Sequence, residues 1–405
     1  MTFYDEDHEA YRLTVREFLR RDVDPHHATW EQERVVPRPV WEAAARRGLL
    51  GLAVPERLGG GGVEDYRYRM VVAEEVARIA ATSFGLGLSL QDDVVTPYFL
   101  DLGNAAQHER WLSGLACGRL IGAIAMSEPG AGSDLQGIRA SARLEGDDWV
   151  LSGQKTFISS GGTADVVVVV ARTDPGQASS GLTLLVVERD QPGFTRGRVL
   201  DKLGLHAQDT AELFFDGVRV PREHVLGEEG RGFVHLVERL PRERLSIAVA
   251  AVAAARAALA WTTEHVFSRT AFGVRVGDLQ NTRFVLAELE TEVDVASAYV
   301  EQCALRLNAR ALSAVDAAKA KWFATELQVR LTSRCLQLFG GYGYMTEYAI
   351  ARAFLDSRVQ TIYGGTTEVM KEIIGRDIAA RQPGPGHTSG PRGAPRGPNA
   401  DSAGR

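Results

Sequence analysis

Cysteine is nearly absent: this chain of 405 residues holds only Cys117, Cys303 and Cys335. Their wide spacing fits neither a disulfide framework nor a structural zinc site, so no metal centre is expected. A reducing compartment follows, and with it a cytoplasmic location. The basic and then apolar stretch of a secretory signal is also missing, because Asp5, Glu6, Asp7 and Glu9 stand at the start. For want of length and uniformity, none of the apolar runs is expected to span a bilayer. Nor is there an excess of one charge. With 46 Lys and Arg against 52 Asp and Glu, the net charge of -6 gives no broad footprint for a polyanion, so no nucleic-acid partner is expected.

The common short motifs are missing as well. There is no GxGxxG at a strand-to-helix turn, no GxxxxGK[ST], no HExxH and no GxSxG, so a Rossmann or P-loop reading lacks support. What the chain does have is 45% apolar content, enough for a large core divided among two or three domains.

Over residues 1–120 apolar residues recur at helical spacing, as in Tyr11, Val15, Phe18 and Leu19 and again in Met70, Val71, Val76 and Ile79. Gly59 to Gly62 interrupt them, and a helix is expected from about Tyr66. Residues 121–228 change to short β-branched runs: Trp149 to Phe157, Val166 to Ala171, Leu182 to Val187, and Glu212 to Val220 with a turn at Asp216-Gly217. No long helix separates them, which predicts antiparallel pairing. Helical spacing returns over 229–380, in Leu245 to Phe267, Leu279 to Leu307, Ala314 to Phe339 and Thr367 to Ala380. The fold class is therefore α+β, mainly α: a helical N-terminal domain, a central antiparallel β domain and a C-terminal four-helix bundle. Residues 381–405 are rich in Gly and Pro and read as a disordered tail.

Three segments invite chemistry. Met126-Ser127-Glu128-Pro129-Gly130-Ala131-Gly132-Ser133-Asp134 is a glycine-rich loop with hydroxyls and carboxylates, suited to close backbone approach to a ligand. Gln337-Leu338-Phe339-Gly340-Gly341-Tyr342-Gly343-Tyr344 follows a long helix, where a C-cap with a turn is the plain reading. Tyr363-Gly364-Gly365-Thr366-Thr367-Glu368 sets a glycine pair before a helix with threonine as N-cap, a place suited to phosphate or to no ligand at all.

Together these segments resemble the acyl-CoA dehydrogenase family. Gly153-Gln154-Lys155-Thr156-Phe157-Ile158-Ser159, Arg269-Thr270-Ala271-Phe272-Gly273 and Gln280 match it too, in order, over roughly residues 5 to 380. The resemblance implies a homotetramer with one FAD per subunit. Ile124, Met126, Ser127, Gly132, Ser133, Phe157, Ile158 and Ser159 would lie along the flavin, with Ser159 near N5. Arg269, Phe272 and Gln280 would reach a neighbouring subunit's FAD, Gln337, Gly340 and Gly341 would cover the adenosine, and Thr366 and Glu368 would complete the flavin site. Ser133, Arg244, Tyr363, Gly364 and Gly365 would contact the substrate, an acyl-CoA or an acyl-carrier-protein thioester. The segment Leu90 to Leu100 would help line the acyl pocket. Electrons would leave to an electron-transferring flavoprotein.

One departure decides where the base is sought. Many family members carry the catalytic carboxylate in Tyr-Glu-Gly-Thr, but this chain has Tyr363-Gly364-Gly365-Thr366. The long-chain and isovaleryl branches place it instead in Glu-Arg-Leu, present here as Glu243-Arg244-Leu245, and the wider Leu240 to Leu245 context resembles the long-chain branch most. The plain alternative for Glu243 is a first-turn helix residue after Pro241 that complements the dipole. The resemblance implies that Glu243 takes the α proton while a hydride passes from the β carbon to flavin N5, with the backbone N–H at Gly364 polarising the thioester. Two rival functions remain on the same fold: a flavin-dependent oxidase or monooxygenase, and a non-catalytic binding protein.

Overall fold

The computed structural model describes residues 3–174, 176 and 181–382. The expected tail lies, beyond Arg381 and Gln382, outside the described residues. α1 (Glu6–Phe18) begins at Asp5, whose side chain accepts the His8 N–H, and three acids in its first turn complement the helix dipole. α2 (Asp24–Glu33) and α3 (Arg38–Arg46) follow, and after the glycine turn comes α4 (Arg67–Arg78). α5 (Thr82–Ser89) passes through a π-helical turn, Leu90–Val95, into α6 (Thr96–Leu102), and the short α7 (Ala105–Gln107) and α8 (Ser113–Ala116) end this part. The π turn is held by Asp92, which accepts the N–H groups of Gly51 and Leu52. Tyr98, just beyond it on α6, is fully buried.

The central part is a seven-stranded sheet: β1 (Gly122–Ala125), β2 (Ser141–Glu145), β3 (Asp148–Ser159), β4 (Val166–Arg172), β5 (Leu182–Glu188), β6 (Phe194–Val199) and β7 (Thr210–Pro221). The order is β1-β4-β2-β3-β7-β6, with β5 also on β4. Antiparallel pairing dominates as expected, but β1 runs parallel to β4, and β2 meets β4 in parallel at one pair. The β2–β3 hairpin lies between β1 and β4 in sequence, and this long connection lets the chain return to pair in the same direction.

The expected turn at Asp216-Gly217 is a β-bulge instead: β7 runs straight through, and these two residues oppose Ser152 alone. Gly217 takes φ +63°, which costs a residue without Cβ nothing. A second bulge sets Thr156 and Phe157 against Glu212, and here a non-glycine, Phe157, is held at φ +58°.

α9 (Gly232–Ser268), α10 (Gln280–Asn308), α11 (Ala314–Phe339), α12 (Ala349–Ser357) and α13 (Thr367–Ala380) form the C-terminal bundle, with the small hairpin of β8 (Thr270–Ala271) and β9 (Val274–Arg275) between the first two. α9 starts earlier than its apolar spacing suggests and carries Pro241 inside it. Glu243 is thus mid-helix, and the first-turn reading falls. Ala248, Ala251, Ala255 and Ala258 let α9 approach α10 and α11 closely, against Leu289, Val293, Ala324 and Leu331. The same alanines make α9 apolar and long enough to cross a membrane by length and composition, which corrects the expectation that no such run exists. Of its most apolar stretch, 67% is buried within the fold.

Candidate active site

All three parts of the fold meet at a cavity of about 260 Å³. The sheet contributes Ile124 on β1, the loop residues Met126, Ser127, Gly132 and Ser133, and Phe157 and Ser159 on β3. α9 contributes Glu243, Arg244 and Ile247, and the turn before α13 contributes Tyr363, Gly364 and Gly365. The bulge in β3 aims the Phe157 ring outward, 69% exposed, whereas Ile158 alternates into the sheet core, so the structure does not bring its side chain to the site. A positive φ on a bulky residue is strained, and such strain gathers at functional sites.

Glu243 is buried, and the Tyr98 hydroxyl donates to its Oε1 at 2.9 Å. Burial pushes its carboxyl up to about 7, against the opposing pull of the Tyr98 hydrogen bond and the charges of Arg244 and Arg239. A carboxylate poised near neutrality is matched to proton transfer. Among the described residues it is the only carboxylate lining this cavity. Glu128 is committed elsewhere: it accepts from Lys155 Nζ at 2.9 Å and from the N–H groups of Arg139 and Ala140. Burial opposes its charge, but these donors outweigh burial and leave it below the usual carboxylate range. Lys155 also donates to the Met126 carbonyl, and Thr156 N–H to the Ser127 carbonyl, so the loop is tied to β3 on both sides. Glu368 is exposed in the first turn of α13, and its own backbone N–H and then Thr366 hold it below the usual range. Thr366 caps that helix by accepting the Val369 N–H.

Past Glu243 the cavity adjoins an inner chamber of about 60 Å³, which shares Leu86, Ser89, Ser246, Ile247 and Tyr363 with it. Beyond these the wall is largely small and apolar, including Ala73, Ala77, Gly85, Ala250 and Ala254. A separate, open cavity of about 510 Å³ collects Arg269, Gln337, Gly340 and Gly341 with Phe339 and Tyr342. The Arg269 guanidinium lies over the Tyr342 ring at 5.4 Å. Phe272, 98% exposed at φ +54°, and Gln280, exposed at the start of α10, line neither cavity.

Sequence reasoning singled out neither Tyr98 nor Arg239, whose guanidinium sits over the Tyr98 ring at 5.4 Å. The inclusion of Leu90 to Leu100 in the pocket wall is the only signal that pointed near Tyr98.

Three family models match the chain in succession: acyl-CoA dehydrogenase N-terminal domain over residues 5–119, middle domain over 123–218 and C-terminal domain over 230–379. The chain belongs to the acyl-CoA dehydrogenase family. It is 46% identical over 377 residues to the mitochondrial long-chain specific acyl-CoA dehydrogenase of Sus scrofa, which spans 93% of this chain and 87% of that one. The crystal structure of an acyl-CoA dehydrogenase from Geobacillus kaustophilus matches with a TM-score of 0.90 and 44% identity, over 93% of this chain and 98% of that one. A glutaryl-CoA dehydrogenase from Mycobacterium smegmatis in complex with FADH2 matches with a TM-score of 0.87 and 28% identity, over 94% and 96%. Membership makes this acyl-CoA dehydrogenase an FAD-dependent oxidoreductase, and the rival readings are not favoured.

The residues present fit a flavin. The strained, outward Phe157 offers an aromatic edge, Ser127 and Ser159 offer hydroxyls in the same cavity, and a Cβ added at Gly130 or Gly132 would meet no atom within 4 Å.

Proposed function

We propose that this acyl-CoA dehydrogenase converts an acyl thioester to the trans-2-enoyl thioester, with Glu243 as the base that takes the α proton. The observation that carries this is the position of Glu243 as the single carboxylate among the described residues that line the cavity, buried and raised to about 7. Bound FAD supplies the acceptor for the β hydrogen at its N5. Everything else is done by the chain. Ser127, Ser159, Ile124, Met126 and Phe157 hold the ring edge, while Thr366 and Glu368 stand at the helix start beyond it. The Gly364 N–H polarises the thioester carbonyl, which makes the α proton acidic enough for a carboxylate to remove. Ser133, Arg244, Tyr363 and Gly365 border the substrate, and the inner chamber takes the far end of the acyl group, shielded from water.

Likeness to the long-chain enzyme of Sus scrofa supports a role in fatty acid oxidation with an electron-transferring flavoprotein as acceptor. Arg269, Phe272 and Gln280 stand on or beside an exposed hairpin, as expected if they complete a neighbouring subunit's FAD site in a homotetramer. Gln337, Gly340 and Gly341 then cover adenosine in the open cavity. Domain limits at about residues 120 and 228 and a cytoplasmic location belong to the same reading.

Anaerobic titration of the purified holoenzyme with a panel of acyl-CoA thioesters, read by flavin bleaching, tests the proposal. Bleaching by acyl-CoA with slow reoxidation supports it. A yellow protein that no acyl thioester bleaches, or that reoxidises rapidly in air while bound to product, overturns it.

A further inference from the structure

Lys321, on α11, is fully buried and plays no part in the chemistry described above. Its Nζ donates to the Gly365 carbonyl at 2.7 Å. One residue earlier, Arg244 Nε donates to the Gly364 carbonyl at 3.3 Å. Two cations from two helices therefore hold two successive carbonyls of one turn.

That turn needs holding. Gly364 and Gly365 sit at φ +63° and +98°, and glycine leaves the backbone more conformational freedom than any other residue. In a trans peptide the C=O and N–H of one plane point in opposite directions. Fixing both oxygens thus fixes the planes on either side of Gly365 and the chain leaving Gly364, all of it on the wall of the cavity that holds Glu243. A buried ammonium is costly beside an apolar side chain of similar size, so simple filling of the bundle core does not account for a lysine.

We propose that Lys321 is a positioning residue for the reaction: by holding the Gly365 carbonyl, as Arg244 holds the Gly364 carbonyl, it anchors the glycine turn and so limits, through the Gly364 dihedrals, where the N–H of the preceding peptide plane, that of Gly364, can point relative to the thioester oxygen. The inference rests on the proposed function, in which that N–H polarises the substrate. Burial and, after it, the nearby Arg244 lower the Lys321 ammonium to about 8 against the opposing pull of Glu326 and Glu368. Glu326 is already engaged by the Thr367 hydroxyl, and Glu368 is exposed. The clamp therefore weakens as pH rises through about 8.

The test uses FAD-loaded enzyme and an acyl-CoA dimethylated at the β carbon, which has no β hydrogen to give up, with 13C at the thioester carbonyl. Binding to the wild type should move the carbonyl stretch to lower frequency. Lys321→Met should lose most of that shift and reduce flavin about a hundredfold more slowly with normal acyl-CoA, the effect of losing an oxyanion donor, at nearly unchanged substrate affinity. Lys321→Arg should restore part of both. In the wild type the shift should shrink between pH 7 and 9.5, a measurement that stands even if the Met variant fails to fold. A shift that is unchanged by Lys321→Met, or one independent of pH over that range, overturns the clamp alone. If the wild type shows no shift and is not bleached by any acyl-CoA, the proposed function fails and the clamp with it.

Discussion

The Tyr98 hydroxyl and the Glu243 carboxylate lie 2.9 Å apart, joined across two parts of the fold and both shut away from water. The bond stabilises the ionised form of a group that burial pushes the other way. Tyr98 is itself held well above its ordinary pKa by burial and by Glu243, so it stays a donor throughout the working range.

Removing that donor should make the base harder to ionise. A hydrogen bond to a charged group contributes roughly 1.5–3 kcal/mol, equivalent to about one to two pH units. In Tyr98→Phe the acid limb of kcat/KM, set near 7 by Glu243, should move up by about that much. The rate deficit should be large at pH 7 and small at pH 9. A limb that stays in place would show that Tyr98 does not tune the base.

Glu243→Gln should keep FAD and bind substrate, yet reduce flavin several orders of magnitude more slowly. It should also alter stability with a definite sign. Because the folded carboxyl titrates near 7 against an ordinary 4.5, the folded state holds more protons in that window. Glu243 therefore costs stability progressively as pH rises from 4.5 to 7. The Gln variant should melt above the wild type at pH 8, and the gap should close toward pH 5. Calorimetry at the two pH values decides it; equal gaps would mean that Glu243 is not the strained group.

Periodicity made the helices and most of the strands legible, and the ordered motifs placed most of the cavity lining. What failed shares a physical cause: local patterns do not report who packs against whom. Asp216-Gly217 is good turn chemistry, and only the partner strand shows that two residues opposing Ser152 make a bulge. Pro241 reads as a helix start, but the helix continues on both sides of it. Tyr98 reaches Glu243 from 145 residues away in the chain, beyond any local pattern.

Chain-length preference should respond to the inner chamber. Ala250 lines it and not the outer cavity, so Ala250→Leu should fill space used only by the acyl tail. Each methylene denied burial costs about 0.8 kcal/mol, so affinity for long acyl-CoA should fall by tens of fold while butanoyl-CoA is little affected. A uniform loss across chain lengths would place the acyl tail elsewhere.

The base itself should be movable. Arg244, next to Glu243, is bonded to the Gly364 carbonyl, so the two chain positions lie side by side at the cavity. Glu243→Gly combined with Gly364→Glu should recover part of the flavin reduction lost in Glu243→Gly alone, since proton abstraction depends on where the carboxylate stands and not on which helix carries it. Two obstacles limit recovery. A side chain at φ +63° is strained, by roughly 1–2 kcal/mol, and a Cβ at residue 364 would meet Ile247 Cδ1 at 2.4 Å. The second obstacle is the far end of a flexible side chain, and Ile247→Val removes the offending atom. The triple variant should therefore outperform the double one, more so for long acyl groups whose path the new side chain crowds. Anaerobic reduction rates for short and long acyl-CoA, at equal FAD content, give the answer. If neither variant exceeds Glu243→Gly while both bind substrate normally, residues 243 and 364 do not address the same α carbon, and the assignment of the base is wrong.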